Sequence, residues 1–315
     1  MTLPGKTEIE AAAELVYAAF PATPQRVWPL LAERAGAEVW VKHENHTPIG
    51  AFKIRGGLAY MAQCEADGMV TATRGNHGQS VAYAARQAGK RVTVVVPEGN
   101  SREKNAAMHA FGADLVVHGR DFQDAFEHAH ALAGAEGLHF LPSFHPALVA
   151  GVATYSYELL SAVPHLDALY VPIGLGSGIC GAIAAREALG LRTEIVGVVA
   201  RKAPCYALSF DAGRAVSTNS ADTMADGMAC RTPDASALAI ILKHAARIVA
   251  VEDEEIEAAM RHYFTDTHNM IEGAGAAPLA ALLKERERMA GKAVGLVASG
   301  GNIDIEVYRR VLAGD

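Results

Sequence analysis

Cysteine is scarce in this chain of 315 residues, and the four present, Cys64, Cys180, Cys205 and Cys230, are widely separated. They form no C-x-x-C pair, which argues against a zinc site or a disulfide framework and leaves isolated buried thiols. No apolar run approaches the roughly 20 residues that span a bilayer. The first residues, with Glu8, Glu10 and Glu14 beside Ala11-Ala12-Ala13, lack the basic start and cleavage pattern of a secretory signal. A cytoplasmic protein with no membrane contact is expected. Clustered positive charge is missing too. The formal net charge is −7 and the basic residues are dispersed, so nucleic acid is not an expected partner. Low-complexity linkers and solenoid repeats are also absent.

What is present is hydrophobic material at 50% of the residues, enough for one large core or two smaller ones. Residues 9–20 read as a helix stopped by Pro21-Ala22-Thr23-Pro24, residues 28–35 as a further helical turn and 39–41 as a strand. A helix over 54–64 leads into strands at 69–73, 91–96 and 114–117, alternating with helices at 78–88, 102–111 and 122–133. A second series follows, with helices at 148–160 and 178–189 around a buried strand at 168–172. Strands at 194–199 and 247–251, helices at 254–264 and 276–288, and a last strand at 293–298 complete it. Such short periods predict an α/β fold of two domains, each an open, mostly parallel sheet with helices on both faces. The expected division puts residues 1–67 and 146–315 in a larger unit and 68–145 in a smaller insert.

Four stretches carry chemistry. Thr47-Pro48-Ile49-Gly50 is a turn, which places Lys53 where a helix begins. The helix dipole and the apolar neighbours Ala51, Phe52 and Ile54 disfavour its ammonium form and make a nucleophilic amine accessible. An ordinary surface lysine is the alternative. Arg74-Gly75-Asn76-His77-Gly78-Gln79 presents backbone N–H groups at a helix start, suited to a carboxylate, though Gly-Asn is also plain turn chemistry. Gly174-Leu175-Gly176-Ser177-Gly178 follows a strand, and its glycines let a phosphate approach the backbone. Gly176 to Gly181 also meets the G-x-G-x-x-G spacing of a dinucleotide site, but the candidate acid Glu194 lies near the start of the next strand instead of its end. Ser299-Gly300-Gly301-Asn302 closes the last strand. The acidic run Glu252-Asp253-Glu254-Glu255 is a favourable helix start, and His128 and His130 fit a solvated helix.

Together, and in this order, the stretches resemble the signatures of the serine/threonine dehydratases, pyridoxal-phosphate enzymes of fold type II built like the tryptophan synthase β-subunit. Gly50-Ala51-Phe52-Lys53-Ile54-Arg55-Gly56 is similar to their Gly-Ser-Phe-Lys-x-Arg-Gly segment, with Ala51 in place of serine. The resemblance implies that Lys53, beside Phe52, holds the cofactor as a Schiff base and serves as base for the Cα proton. It places Thr73, Gly75, His77 and Gly78 on the substrate carboxylate and Asn76 on the cofactor's phenolic oxygen. Gly174, Leu175, Gly176, Ser177 and Gly178 fall on the phosphate, which acts as acid for the leaving hydroxyl; Leu175 and Ser177 stand where the family has glycine. Ser299 faces the pyridine nitrogen. A neutral hydroxyl there makes the ring a milder electron sink, which favours β-elimination over transamination. Glu272 matches an acidic residue near the cofactor, with a helix-capping carboxylate as the alternative.

Arg74 stands where related racemases keep a serine, and an arginine that stays protonated implies weak racemase activity. On the substrate side it could pair with a second carboxylate, as in 3-hydroxyaspartate, or reshape the pocket for phenylserine. Relatives that bind a structural cation keep an acidic residue where Val199-Ala200-Arg201-Lys202 stands, so no metal is expected and a basic side chain supplies the charge. The resemblance as a whole implies a carbon–nitrogen lyase that deaminates a 3-hydroxy amino acid, threonine or serine first, to a 2-oxo acid and ammonia. It implies a homodimer, with the cofactor in the cleft between a larger cofactor-binding domain and a smaller substrate-binding one. No regulatory extension, and so no feedback by isoleucine, is expected. A β-replacement enzyme would show Asn-Thr-Gly at 76–78. A nicotinamide-dependent oxidoreductase and a non-catalytic binding protein of the same fold are the remaining alternatives.

Overall fold

The computed structural model describes residues 1–314. Strands β1 (Gln25–Val27) and β2 (Glu38–His43) begin one sheet, and β3 (Gly68–Ala72), β4 (Arg91–Val96), β5 (Asp114–Val117) and β6 (His139–Phe140) form another. The chain then returns to the first sheet with β7 (Ala168–Pro172), β8 (Glu194–Ala200), β9 (Arg247–Val251) and β10 (Ala293–Ala298). The six-stranded order is β1-β2-β10-β7-β8-β9 and the four-stranded order β5-β4-β3-β6. Every pair is parallel except β1 with β2 at one edge. This agrees with the strand composition, since all of β10 is buried, as befits a strand covered on both faces.

Several elements escaped the sequence pattern. β1 and β6 have only 3 and 2 residues, too few for a period to register. Helices Cys205–Ala212, Ala235–His244 and Ile305–Ala313 were not expected, and the helix expected at 276–288 is broken at Glu285 into Gly273–Lys284 and Arg286–Met289. No helix among the described residues is long and apolar enough to cross a membrane.

Helix Lys53–Met61 lies against helices Asn76–Gln87 and Pro146–Ala162, and small residues make that approach possible. A Cβ on Gly57 would stand 2.2 Å from Ser80 Oγ, one on Gly56 2.9 Å from the Leu148 carbonyl, and one on Gly151 2.2 Å from the Arg55 carbonyl. These separations exclude any side chain, so helix packing demands the glycines after Arg55. Tyr60 and Met61, at the far end of the helix, join the core of the four-stranded sheet with Met69, Val94 and Leu148.

Arg55 is fully buried, and its charge is met in full. Its Nε donates to Glu44 at 2.7 Å, Nη1 to Thr154 at 2.9 Å and Glu158 at 2.6 Å, and Nη2 to Glu44 at 3.0 Å, Glu158 at 3.1 Å and Thr23 at 3.2 Å. Buried Lys42 donates to Glu158 at 2.5 Å and to the Thr23 carbonyl at 2.8 Å, so two cations face two carboxylates. Burial pushes the Glu158 carboxyl up, but Arg55 and Lys42 outweigh it and hold the group below its ordinary value. Removing one member strands the others, at a cost of roughly 3–5 kcal/mol. Glu158→Ala is therefore expected to lower unfolding free energy by about that much at neutral pH. Arg120→Ala, which removes an exposed i,i+4 pair with Asp124, should change it by less than about 0.5 kcal/mol. Urea titration of both variants decides the matter; equal, small losses would show that the cluster does not hold the fold.

Candidate active site

The turn before Lys53 is built by Thr47, whose carbonyl accepts the Gly50 N–H at 2.9 Å and whose hydroxyl accepts the Ala51 N–H at 2.9 Å. Gly50 takes a φ of +69°, and Asn302 Oδ1 would lie 2.8 Å from a Cβ there, so this position requires glycine twice over. The segment then runs beside the end of β10. Phe52 N–H donates to the Ser299 carbonyl and Gly301 N–H to the Gly50 carbonyl, both at 2.9 Å, with Ala51 bridged to Gly300. The first and last signature stretches are thus one backbone unit.

Lys53 is the first residue of its helix. Its Nζ donates to Ser177 Oγ at 3.1 Å and lies 5.1 Å from the Phe52 ring centroid. Among the described residues no carboxylate pairs with it, and burial lowers it to about 8. The amine expected from the apolar neighbourhood is present, with burial as the cause.

The turn after β3 presents the second stretch. Thr73 Oγ1 accepts the Gly75 N–H at 3.0 Å, and the first intrahelical bond runs from Gln79 N–H to the Gly75 carbonyl at 3.1 Å. The amides of Asn76, His77 and Gly78 precede that bond and are open to an anion. A Cβ on Gly78 would lie 2.4 Å from Met108 Sδ, and one on Gly75 2.5 Å from Lys104 Cδ. His77 is buried with no partner for Nε2, and burial followed by the charge of Lys53 pushes it down to about 3, so the ring is neutral. Arg74, in contrast, is exposed and makes no ion pair among the described residues.

Glu272 stands at the N-cap of helix Gly273–Lys284 but makes no capping hydrogen bond, which corrects the capping alternative. Its Oε1 instead accepts from Asn76 Nδ2 at 2.8 Å, and Asn302 Nδ2 donates to Asn76 Oδ1 at 2.9 Å. Its Oε2 is buried without a hydrogen-bond partner, 3.9 Å from Lys104 Nζ. Burial raises this carboxyl to about 7, against the pull of Lys104 and with the push of Asp226. Lys104 in turn donates to Asp226 at 2.5 Å.

In the glycine-rich loop the glycine requirements come from protein neighbours. Gly176 has a φ of +102° and its Cβ would lie 2.7 Å from Ala237 Cβ; a Cβ on Gly174 would lie 2.3 Å from the Gly227 carbonyl. The Leu175 carbonyl accepts from Tyr206 at 2.9 Å. Helix Ser177–Ala188 closes its first bond from Cys180 N–H to the Gly176 carbonyl at 3.0 Å, which leaves the amides of Ser177, Gly178 and Ile179 open. Glu194 pairs in register with Ala168, at the end of β7 remote from this loop, and is bonded to Arg247, so it cannot serve a nucleotide bound at the loop. Lys202, on the segment where a cation was expected to be replaced, pairs with Asp253 at 3.0 Å. The acidic run starts helix Asp253–Thr267 with a capping box between Glu252 and Glu255.

These residues fit pyridoxal phosphate. An amine without a carboxylate suits an aldehyde, open amides at a helix start suit a phosphate, and the orphaned His77 Nε2 is a buried polar atom that suits a polar ligand. Sequence reasoning missed Lys104 and Asp226, which belong to no signature and meet only through folding. Asn302 lay within the quoted Ser-Gly-Gly-Asn stretch, which was its only signal.

A family model for pyridoxal-phosphate dependent enzymes matches residues 18–300. The chain is 37% identical to an L-threonine ammonia-lyase of Geobacter sulfurreducens over 287 residues, 89% of this chain and 71% of that protein. It is 31% identical to an L-threo-3-hydroxyaspartate ammonia-lyase of Saccharomyces cerevisiae over 93% of this chain and 91% of that one. Among solved structures, threonine deaminase isoform 2 of Solanum lycopersicum superposes with a TM-score of 0.90 at 27% identity, covering 100% of this chain and 96% of that one. The resemblance read from four short stretches therefore extends over nearly the whole sequence and the whole fold, and this chain belongs to the family of pyridoxal-phosphate dependent enzymes.

Proposed function

We propose that this protein deaminates a 3-hydroxy amino acid by dehydration, with threonine or serine as substrate and a 2-oxo acid and ammonia as products. The observation that carries this reading is the Lys53 amine, depressed by burial, paired with no carboxylate among the described residues and bonded to Ser177, on a segment whose preceding residue, Phe52, donates its N–H to the Ser299 carbonyl. The similarity to an L-threonine ammonia-lyase supports the same chemistry.

Pyridoxal phosphate, when bound, supplies the electron sink that stabilises charge left at Cα. Lys53 would hold it through Nζ, with the Phe52 ring alongside. Nζ, once free, would take the Cα proton; the Cα–H electron pair becomes the Cα–Cβ double bond as the Cβ–oxygen bond breaks, the hydroxyl gains a proton and leaves as water, and hydrolysis of the resulting enamine by water gives the 2-oxo acid and ammonia. The loop from Gly174 through Leu175, Gly176, Ser177 and Gly178 would hold the phosphate with backbone N–H groups, and Asn76 and Ser299 would orient the ring, with Glu272 behind Asn76. Thr73, Gly75, His77 and Gly78 hold the substrate carboxylate, and a neutral His77 does so by hydrogen bonding alone.

A second reading, 3-hydroxyaspartate or a bulky substrate such as phenylserine, is favoured by the exposed and unpaired Arg74 and by the second relative's name. We place it after threonine and serine. The two sheets, drawn from residues 25–43 with 168–298 and from 68–140, support a large domain of residues 1–67 and 146–315 and a small one of 68–145. We extend the proposal to a cytoplasmic homodimer, as the family resemblance implies, to be checked by light scattering.

Lys53→Ala is expected to abolish the visible cofactor absorbance and to cut turnover by at least roughly 10²–10⁴-fold, the share of proton transfer alone. Wild-type absorbance and turnover in that variant would overturn the reading. Because the Lys53 value is lowered, its free amine should predominate above about pH 8, whereas an ordinary lysine stays protonated to about pH 10. The rate at which cofactor-free protein captures an aldehyde should accordingly rise with a midpoint near 8. With Arg74 in the racemase serine position, racemisation of serine should be far slower than its elimination; comparable rates in a chiral product assay would contradict this.

A further inference from the structure

Lys104 belongs to none of the signature stretches, yet it sits where they converge. It is the third residue of helix Arg102–Ala110, beside the four-stranded sheet, and its side chain is nearly buried. The Cδ of its stem lies 2.5 Å from where a Cβ on Gly75 would be, so it backs directly onto the turn after β3. Its Nζ crosses to the other sheet's side of the cleft, donating to Asp226 at 2.5 Å and standing 3.9 Å from Glu272 Oε2. The residue after Asp226 is held in place: the carbonyl of Gly227 abuts Gly174 of the glycine-rich loop, and a Cβ on Gly227 would lie 3.0 Å from Ala274 Cβ, on the second residue of the helix that Glu272 starts.

We propose that Lys104, anchored by Asp226, is a positioning residue for the reaction: its ammonium draws Glu272 toward the anionic form, which fixes the Asn76 amide toward the cofactor ring. The inference rests on the placing of Asn76 and Glu272 in the cofactor pocket. The hydrogen-bond arithmetic at Asn76 is the geometric core. Asn302 Nδ2 occupies Asn76 Oδ1 at 2.9 Å, which sets the orientation of the amide, and one Nδ2 hydrogen goes to Glu272 Oε1 at 2.8 Å. The second Nδ2 hydrogen remains for the cofactor's phenolic oxygen. A neutral Glu272 accepts that first hydrogen more weakly, and its own proton, placed on Oε1, would oppose the amide.

The charges that face Glu272 are few. Lys104 comes from helix Arg102–Ala110 and Asp226 from the turn Asp226–Met228; Asp304, which accepts from the Ser101 hydroxyl, lies behind Lys104. The remaining neighbours, Asn76 and the backbone of Gly300, are uncharged. Burial alone favours the neutral acid, the ammonium opposes it and the second carboxylate reinforces it, so Glu272 stands near about 7. The two charged neighbours thus act with opposite sign. A purely structural role would not separate them.

Isotope-edited infrared spectroscopy of the holoenzyme, labelled on glutamate carboxyls and assigned with Glu272→Gln, reads this protonation without turnover. The midpoint for Glu272 is expected near pH 7 in the wild type. In Lys104→Met it should rise by about one pH unit or more, in Asp226→Asn it should fall, and in Lys104→Arg it should stay close to the wild type. Midpoints that do not move in the first two variants, or that move in the same direction, would overturn the inference, as would an arginine variant that behaves like the methionine one. Because no substrate is present, failure here leaves the deamination reading to be judged by Lys53→Ala and product analysis.

Discussion

The geometry of the site depends on a guanidinium two residues away from the reactive amine. Arg55 is enclosed by Glu44, Glu158, Thr154 and Thr23, with all three nitrogens engaged. These partners come from the segment after β2, from helix Pro146–Ala162 and from the loop before β1, so one side chain holds three distant parts of the chain in register. A lysine could not do this, because it lacks the planar fork that meets two carboxylates at once. Burying these charges is costly, and the fully met hydrogen bonding is what makes it tolerable. The result is a fixed start for the helix on which Lys53 is the first residue.

The cleft above that base has the opposite character. Amides at the starts of helices Asn76–Gln87 and Ser177–Ala188 have no protein acceptor in the turn before them, His77 Nε2 is buried without a hydrogen-bond partner, and Glu272 Oε2 accepts no hydrogen bond and faces the Lys104 ammonium at 3.9 Å. Native interiors leave few such groups unsatisfied, so their concentration around one lysine marks a place shaped for a ligand. Burial sets the chemistry as well. It lowers Lys53 to about 8, lowers His77 to about 3 and raises Glu272 to about 7, so that an amine, an imidazole and a carboxyl all stand away from their ordinary charge behaviour in one cleft.

How much of this was legible varied with the distance over which the cause acts. β4, β5, β7, β9 and β10 were read to the residue because their apolar runs are bounded by turn chemistry on both sides. β6 was not, because it exists only through two pairings with β3, and the helix Ala235–His244 was missed although Asp234 caps it by accepting from Ser236 and Ala237 at 2.9 Å. The open amides at 76–78 and 177–179 were visible as glycine-rich turns before helices. The reasons for several of those glycines were not, since Gly174 answers to Gly227 and Gly57 to Ser80.

The sequence by itself determined the alternating α/β order, the turn that presents Lys53 and the four stretches that carry the family's chemistry, because each is written in a few consecutive residues. Only the tertiary structure decided that Phe52 would bond to Ser299, that Glu272 would turn from its helix cap to Asn76, and that Lys104 would cross the cleft to Asp226. Backbone propensity and turn chemistry act between neighbours along the chain. Charge pairing and burial act between neighbours in space, and no local pattern records which residues those will be.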